Sequence, residues 1–450
     1  MDSASVRREH RLLDLAFVPM ILLIAQGAAL SGSPCAAQPS PVEGPVVEGA
    51  WPLTKSFQRL SSDRFHVLEP VFARLPGTAW NALILFSAGT IEARNPVTGA
   101  ALWARPIPCR NEPQFLGLAT GRFILATGQR IFAISRESGT FAWSFGEEPA
   151  DRPMEDPESI LTWTCYAMTA SRIFAASDRG DVLAIDAASG GVVWRNATHL
   201  QITHLCADDR HVCLAAIEGR KSHLRFVDAM SGRVSSQWAP QEAAPVEIVS
   251  MLDDGTFISL FSQRISALDP ERGAERFIVR TADRFVPATL DCQGGGIIVS
   301  PDGKRLCKYD RNTGRLIWQT EVLPANAVDG LWVQVSEPNV FVASGDSIWS
   351  FRAADGQRLW KATIRDRLHS LTPKLADQMV FVMAGSGDLT DERRRLRLIA
   401  LSRKDGVQMQ VSKNESIVTE PLKPLDGFYV RDGSVILVTG NQMIGYSAER

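Results

Sequence analysis

One phrase recurs along the 450 residues: a short apolar strand, an acidic or polar step, a glycine and usually a tryptophan. It reads IEARNPVTGAALW to Trp103, IFAISRESGTFAW to Trp143, VLAIDAASGGVVW to Trp194 and LRFVDAMSGRVSSQW to Trp238. It continues as ISALDPERGAERF to Phe277, LCKYDRNTGRLIW to Trp318, IWSFRAADGQRLW to Trp360 and LIALSRKDGVQMQ to Gln410. The shared glycines are Gly99, Gly139, Gly190, Gly232, Gly273, Gly314, Gly356 and Gly406, spaced by 40, 51, 42, 41, 41, 42 and 50 residues. A period of that length built from strands specifies propeller blades, so the fold class is all-β: one ring of four-stranded antiparallel blades.

Each repeat holds two alternating strands and a tight turn, as in FILAT and IFAIS around Gly128-Gln129-Arg130. A third strand, FAWSF, follows a turn at Glu137-Ser138-Gly139. Glycine supplies the positive φ that such short connections require. A further apolar stretch between phrases, such as LTWTCYAMTA, makes the fourth strand. The tryptophan four residues after the glycine is expected to fill the space between blades and lock the turn. Asp186, Asp228, Asp269 and Asp310 stand at the strand end before the turn. There a carboxylate accepts backbone N–H groups as an Asx-type turn, so these are turn formers and not catalysts. Eight phrases predict eight blades. Residues 434–450 also read as the first half of a ninth repeat, which becomes a ninth blade if it pairs with an N-terminal strand from about residues 51–75.

The chain divides into residues 1–37, a segment at 38–80 with a possible ring-closing strand, and the propeller at 81–450. Arg7, Arg8 and Arg11 precede the apolar run LAFVPMILLIA and then small residues ending SPCAAQPSP. That is the order of a secretory signal, with cleavage expected after Ala37. The alternatives are an uncleaved anchor or lipidation at Cys35, although Pro34 stands where a small residue is needed. The reading implies a periplasmic or secreted protein with no membrane span once the signal is removed. A net charge of −2 gives no footprint for nucleic acid.

Six cysteines follow the signal: Cys109, Cys165, Cys206, Cys213, Cys292 and Cys307. In HLCADDRHVCLA a two-residue turn at Asp209-Arg210 puts Cys206 opposite Cys213 on adjacent strands, within disulfide reach. A disulfide and a pair of buried thiols both fit. No zinc-spaced Cys/His set, HExxH, GxSxG, Walker loop or Rossmann fingerprint occurs, and no catalytic or metal residue is assigned.

The phrases resemble the tryptophan-docking repeats of pyrroloquinoline-quinone-like propellers, whose core runs roughly Ala-x-Asp-x-x-Thr-Gly-x-x-x-Trp. AIDAASGGVVW and KYDRNTGRLIW carry the resemblance most fully, and it covers most of the chain after the signal. The family contains quinone-dependent dehydrogenases of alcohols or sugars and non-catalytic envelope scaffolds. The dehydrogenases imply pyrroloquinoline quinone with calcium and usually a vicinal Cys-Cys pair, which this chain lacks. Their longer insertions are also absent, since five of the seven spacings are 40–42. The resemblance therefore implies a monomeric scaffold that binds an envelope or secreted protein and needs no cofactor. A dehydrogenase, and a small-molecule or glycan binder using the central funnel, stand as alternatives. Two segments break the rhythm: the acidic, Pro-rich link GEEPADRPMEDPES and the long hairpin of the eighth repeat. The hairpin carries Asp391, Arg393, Arg394 and Arg395 and is a candidate interaction loop.

Overall fold

The computed structural model describes residues 53–448 except 61–64, 75–80, 88, 108–112, 147–160, 220, 241–244, 253, 293–295, 323–330, 365–366, 369–372, 377, 387–394, 410–424, 432–433 and 440–441. The described elements are strands, gathered into nine antiparallel sheets that follow one another along the chain. Blades 1 to 8 span 65–106, 114–146, 163–197, 201–238, 248–280, 286–321, 332–363 and 367–409. Within each, the chain runs from the innermost strand outward. In blade 8 two short segments, Arg367–Leu368 and Lys374–Ala376, share the innermost place.

The ring has nine blades, the alternative that the C-terminal hairpin left open against a count of eight. Blade 9 takes Leu425–Arg431, Ser434–Thr439 and Gln442–Ala448 from the C-terminus and its outermost strand, Leu53–Leu60, from the N-terminus. Leu53 pairs with Ala448 and Leu60 with Gln442. Counting phrases misses this blade for a physical reason. Its outer strand arrives from the other end of the chain, so no glycine turn leads into it. Ring membership thus starts at Leu53, and Phe65–Arg74 is already the innermost strand of blade 1.

Two strand types follow from position in a blade. The middle strands are covered on both sides, so after its opening arginine RFILA is a continuous apolar run, as is RIFAIS between Arg130 and Ser135. Phe123, Leu125, Phe132 and Ile134 join Ile84, Ile91 and Ala93 in the core between blades 1 and 2. Their neighbours Ile124, Ala126, Ile131 and Ala133 turn the other way to meet Ile173, Ala175, Leu183 and Ile185 of blade 3. One strand therefore feeds two interfaces, as the two-residue side-chain period demands. Leu83 and Leu85 of blade 1 pack with Ile436, Val438 and Met443 of blade 9, which closes the core around the ring. The outer strands have a single covered residue among exposed ones, as in Ala101–Pro106 and Val192–Ala197. No helix among the described residues is long and apolar enough to cross a membrane.

The N-terminal strand clasps the two ends of the chain by strand pairing. A chain beginning at residue 61 leaves Gln442–Ala448 as an unpaired edge and opens the ring. Its melting temperature is expected to fall by roughly 10 °C, with aggregation above micromolar concentration, measured by differential scanning fluorimetry and light scattering.

Candidate functional site

The repeated glycine and tryptophan meet between blades, not within one. Trp143 of blade 2 lies on Gly190 of blade 3, so close that a Cβ there would come within 2.6 Å of the indole. Trp103 lies on Gly139, Trp194 on Gly232, Trp318 on Gly356 and Trp360 on Gly406 in the same way. Each of these glycines also has a positive φ, between 67° and 74° when Gly314 is included. The turn holding the glycine closes by its N–H on the carbonyl four residues earlier, as from Gly190 to Asp186 at 2.8 Å. Each indole N–H then donates to the carbonyl three residues before the glycine it covers. The acceptors are Arg136 for Trp103 (3.2 Å), Ala187 for Trp143 (3.2 Å), Ala229 for Trp194 (3.0 Å), Ala353 for Trp318 (3.1 Å) and Arg403 for Trp360 (3.0 Å).

Phe277 takes the indole's place on Gly314. The ninth docking position falls by register on Phe57, paired with Gly445 beside a bulge, as Trp103 pairs with Ala93 beside one. Gly99, its counterpart in blade 1, has the same positive φ of 70°. The seam from blade 4 to blade 5 departs from the rule. Trp238 sits two residues further along, and Ser236 faces Gly273 and donates to the Pro270 carbonyl at 2.5 Å. A shift of two keeps the side chain on the same face. Trp238 there packs tilted against Phe261, ring centroids 5.9 Å apart, and lies under the Arg264 guanidinium, 5.4 Å from the ring. Arg264 is buried and bonds Ser266 and Glu275.

The turn aspartates accept from the residues just after them. Asp186 accepts the Ser189 N–H and hydroxyl, both at 2.7 Å; Asp228 accepts those of Ser231 at 2.7 and 2.6 Å. Asp310 accepts the Asn312 N–H at 3.0 Å and the Thr313 N–H and hydroxyl at 2.8 Å, and Asp269 the Glu271 N–H at 2.9 Å. The hydroxyl of Ser189, Ser231 or Thr313, followed by the backbone N–H groups, holds the Asp186, Asp228 and Asp310 carboxyls below their ordinary range.

Cys206 and Cys213 are direct cross-strand partners in blade 4, both thiols, in the core facing Phe257 and Phe261 of blade 5. Burial pushes the Cys213 thiol well up. Among the described residues no three His, Cys, Asp or Glu side chains converge to hold a metal ion, so no calcium-centred step is derived for them. Of the candidate loop, Asp391, Arg393 and Arg394 lie outside the described residues. Arg395 begins the strand that follows, and the link at 147–160 and residues 1–37 also lie outside.

The sequence reading missed what the outer strands leave over. Two and three residues after the glycines, just before each docked ring, stand exposed Leu102, Phe141, Val192, Val193, Leu316 and Leu359. The signal was present in pairs such as VVW and LIW, where only the last residue is needed for docking. Between the outer parts of blades 3 and 4 lies a groove of about 370 Å³ floored by Trp194 and Leu214 and edged by Arg225, Arg233 and Val234.

Three outcomes test these assignments. Gly190→Ala is expected to cost roughly 2–3 kcal/mol by chemical denaturation, against about 1 kcal/mol for Gly345→Ala, which has a positive φ but open space where the methyl would go. Equal costs would remove the indole contact as the reason for glycine. A carboxyl held below its ordinary range stabilises the fold above that range, and the contribution is lost as pH falls from that range through the lowered native value. The triple variant Asp186→Asn, Asp228→Asn, Asp310→Asn should therefore lose less melting temperature than the parent between about pH 5 and pH 2. After exposure to glutathione disulfide, peptide mapping is expected to recover Cys206 linked to Cys213. Recovery of both as alkylated thiols would leave them as core residues.

The family described as outer membrane protein assembly factor BamB matches residues 127–285 and again 262–444. No curated protein matches the chain. Among solved structures, BamB from Moraxella catarrhalis is 14% identical with a TM-score of 0.47, over 74% of this chain and 97% of that one. The quinohemoprotein alcohol dehydrogenase from Comamonas testosteroni is 11% identical with a TM-score of 0.43, over 74% of each. The computationally designed protein Ika8 is 11% identical with a TM-score of 0.49, over 76% of this chain and 98% of that one. With docked indoles at its blade seams and the family match spanning most of the ring, the chain belongs to the BamB family of pyrroloquinoline-quinone-like β-propellers.

Proposed function

We propose that this chain is an exported, non-catalytic scaffold that holds another protein in the cell envelope. The observation carrying the reading is the division of labour in the repeat. Tryptophan, glycine and aspartate are consumed by the seams and turns, while several residues left exposed on the outer strands just before the docked indoles are large and apolar. Leu102, Phe141, Val192, Val193, Leu316, Ile317 and Leu359 are exposed on the outer strands of blades 1, 2, 3, 6 and 7. Exposed apolar groups on a rigid frame suit recognition of another protein surface. The description of the family as an assembly factor supports the same reading.

The test isolates the tagged chain from envelope extract under mild detergent. A stoichiometric protein partner that stays bound through gel filtration is expected. A chain that elutes alone, and that oxidises an alcohol or aldose in a dye-coupled assay with pyrroloquinoline quinone and calcium, overturns the scaffold.

A further inference from the structure

The groove between blades 3 and 4 is lined by positive charge alone. No residue lining it is acidic, and its two charged members are Arg225 and Arg233. Arg225 reaches it from a middle strand of blade 4 whose side chain turns toward blade 3, where the corresponding residue of blade 3 is Leu183. Arg233 follows Gly232, the glycine under Trp194. Neither guanidinium has a hydrogen-bond or ion-pair partner among the described residues. The carboxylates nearby are engaged elsewhere: Asp228 accepts from Ser231, and Asp181 pairs with Arg195 at 3.3 Å.

Two further observations describe an occupant. The turn bearing Ser231 to Arg233 also exposes Met230, at 59%, and Val234, at 56%. Both flanking outer strands, Val192–Ala197 and Val234–Trp238, end their sheets and have one edge without a partner strand. An unpaired edge offers backbone N–H and C=O groups to an extended chain. At about 370 Å³ the groove exceeds the volume of a single inorganic anion and suits several side chains.

We infer that this groove docks an extended segment of a partner protein in which acidic and apolar residues alternate, its carboxylates on Arg225 and Arg233 and its apolar side chains on Met230 and Val234. The inference rests on the scaffold reading and names the partner's chemistry. Arginine suits the role because its planar fork can take a carboxylate bidentately.

The experiment measures fluorescence anisotropy of the purified chain with labelled, blocked hexapeptides of alternating Val and Glu, Val and Gln, Val and Lys, or Gly and Glu. The Val-Glu peptide is expected to bind at least roughly tenfold more tightly than the Val-Gln or Gly-Glu peptide, and the Val-Lys peptide not at all. Arg225→Gln and Arg233→Gln should each weaken it roughly tenfold, while Arg315→Gln, at the same step of blade 6, leaves it unchanged. Circular dichroism and melting temperature check that each variant folds. Arg233 is exposed, so Arg233→Glu keeps the fold, and it should transfer preference to the Val-Lys peptide. Equal affinity for the Glu and Gln peptides, or an unchanged preference in Arg233→Glu, overturns the inference. Equal binding of Gly-Glu reduces the groove to an anion site and also overturns it. If Arg233→Glu still carries its envelope partner through gel filtration, the groove is dismissed and the scaffold stands.

Discussion

Everything in this ring depends on an indole lying flat on a glycine of the next blade. The contact explains three residues at once. The glycine must lack a Cβ because the ring sits where one would be, and its turn needs a positive φ as well. The tryptophan must be large and flat to span the gap, and its N–H needs the carbonyl that the same turn presents. The aspartate shapes that turn through the N–H groups after it. The glycine and the tryptophan thus act across the seam between blades, while the aspartate acts within its own turn. The phrase is therefore a connector whose two halves are read about forty residues apart.

The seam between blades 4 and 5 shows what happens when one half is altered. With Ser236 at the docking position, the turn at Gly273 is met by a hydroxyl and backbone, and the displaced Trp238 moves into a site with Phe261 and Arg264. The space is filled by a cation over a ring and a part-buried ion pair with Glu275. Thr256, Ser259 and Ser266 are fully covered in the same blade, which gives this blade a polar interior. The paired Cys206 and Cys213 face the same seam.

Much of the architecture was legible in the spacing of Gly99 to Gly406, because a repeat that must stack on itself keeps its length. The turn role of Asp186, Asp228 and Asp310 was legible too, since an Asx turn is a local event. The pairing of Cys206 with Cys213 could be read across a two-residue turn for the same reason. Blade 9 was harder, because its defining pair, Leu53 with Ala448, joins residues from opposite ends of the chain. The partners of each tryptophan were not legible either. Trp143 and Ala187 are 44 residues apart, and nothing local marks which glycine an indole will cover. The groove at Arg225 and Arg233 was invisible for a related reason. It exists only where faces of two blades meet, and an arginine in the run KSHLRFVD reads as an ordinary polar step.

The outermost strand of blade 9 also sets an order of events in making the molecule. Of the described strands, Leu53–Leu60 is made first and its partner, Gln442–Ala448, last. Through nearly the whole of synthesis the opening strand must wait unpaired while eight blades accumulate beside it. A product that stops short by even one hairpin has two raw sheet edges in place of none at the join. The closing strand thereby works as a check on completeness, since only a chain carrying both of its ends can hide them.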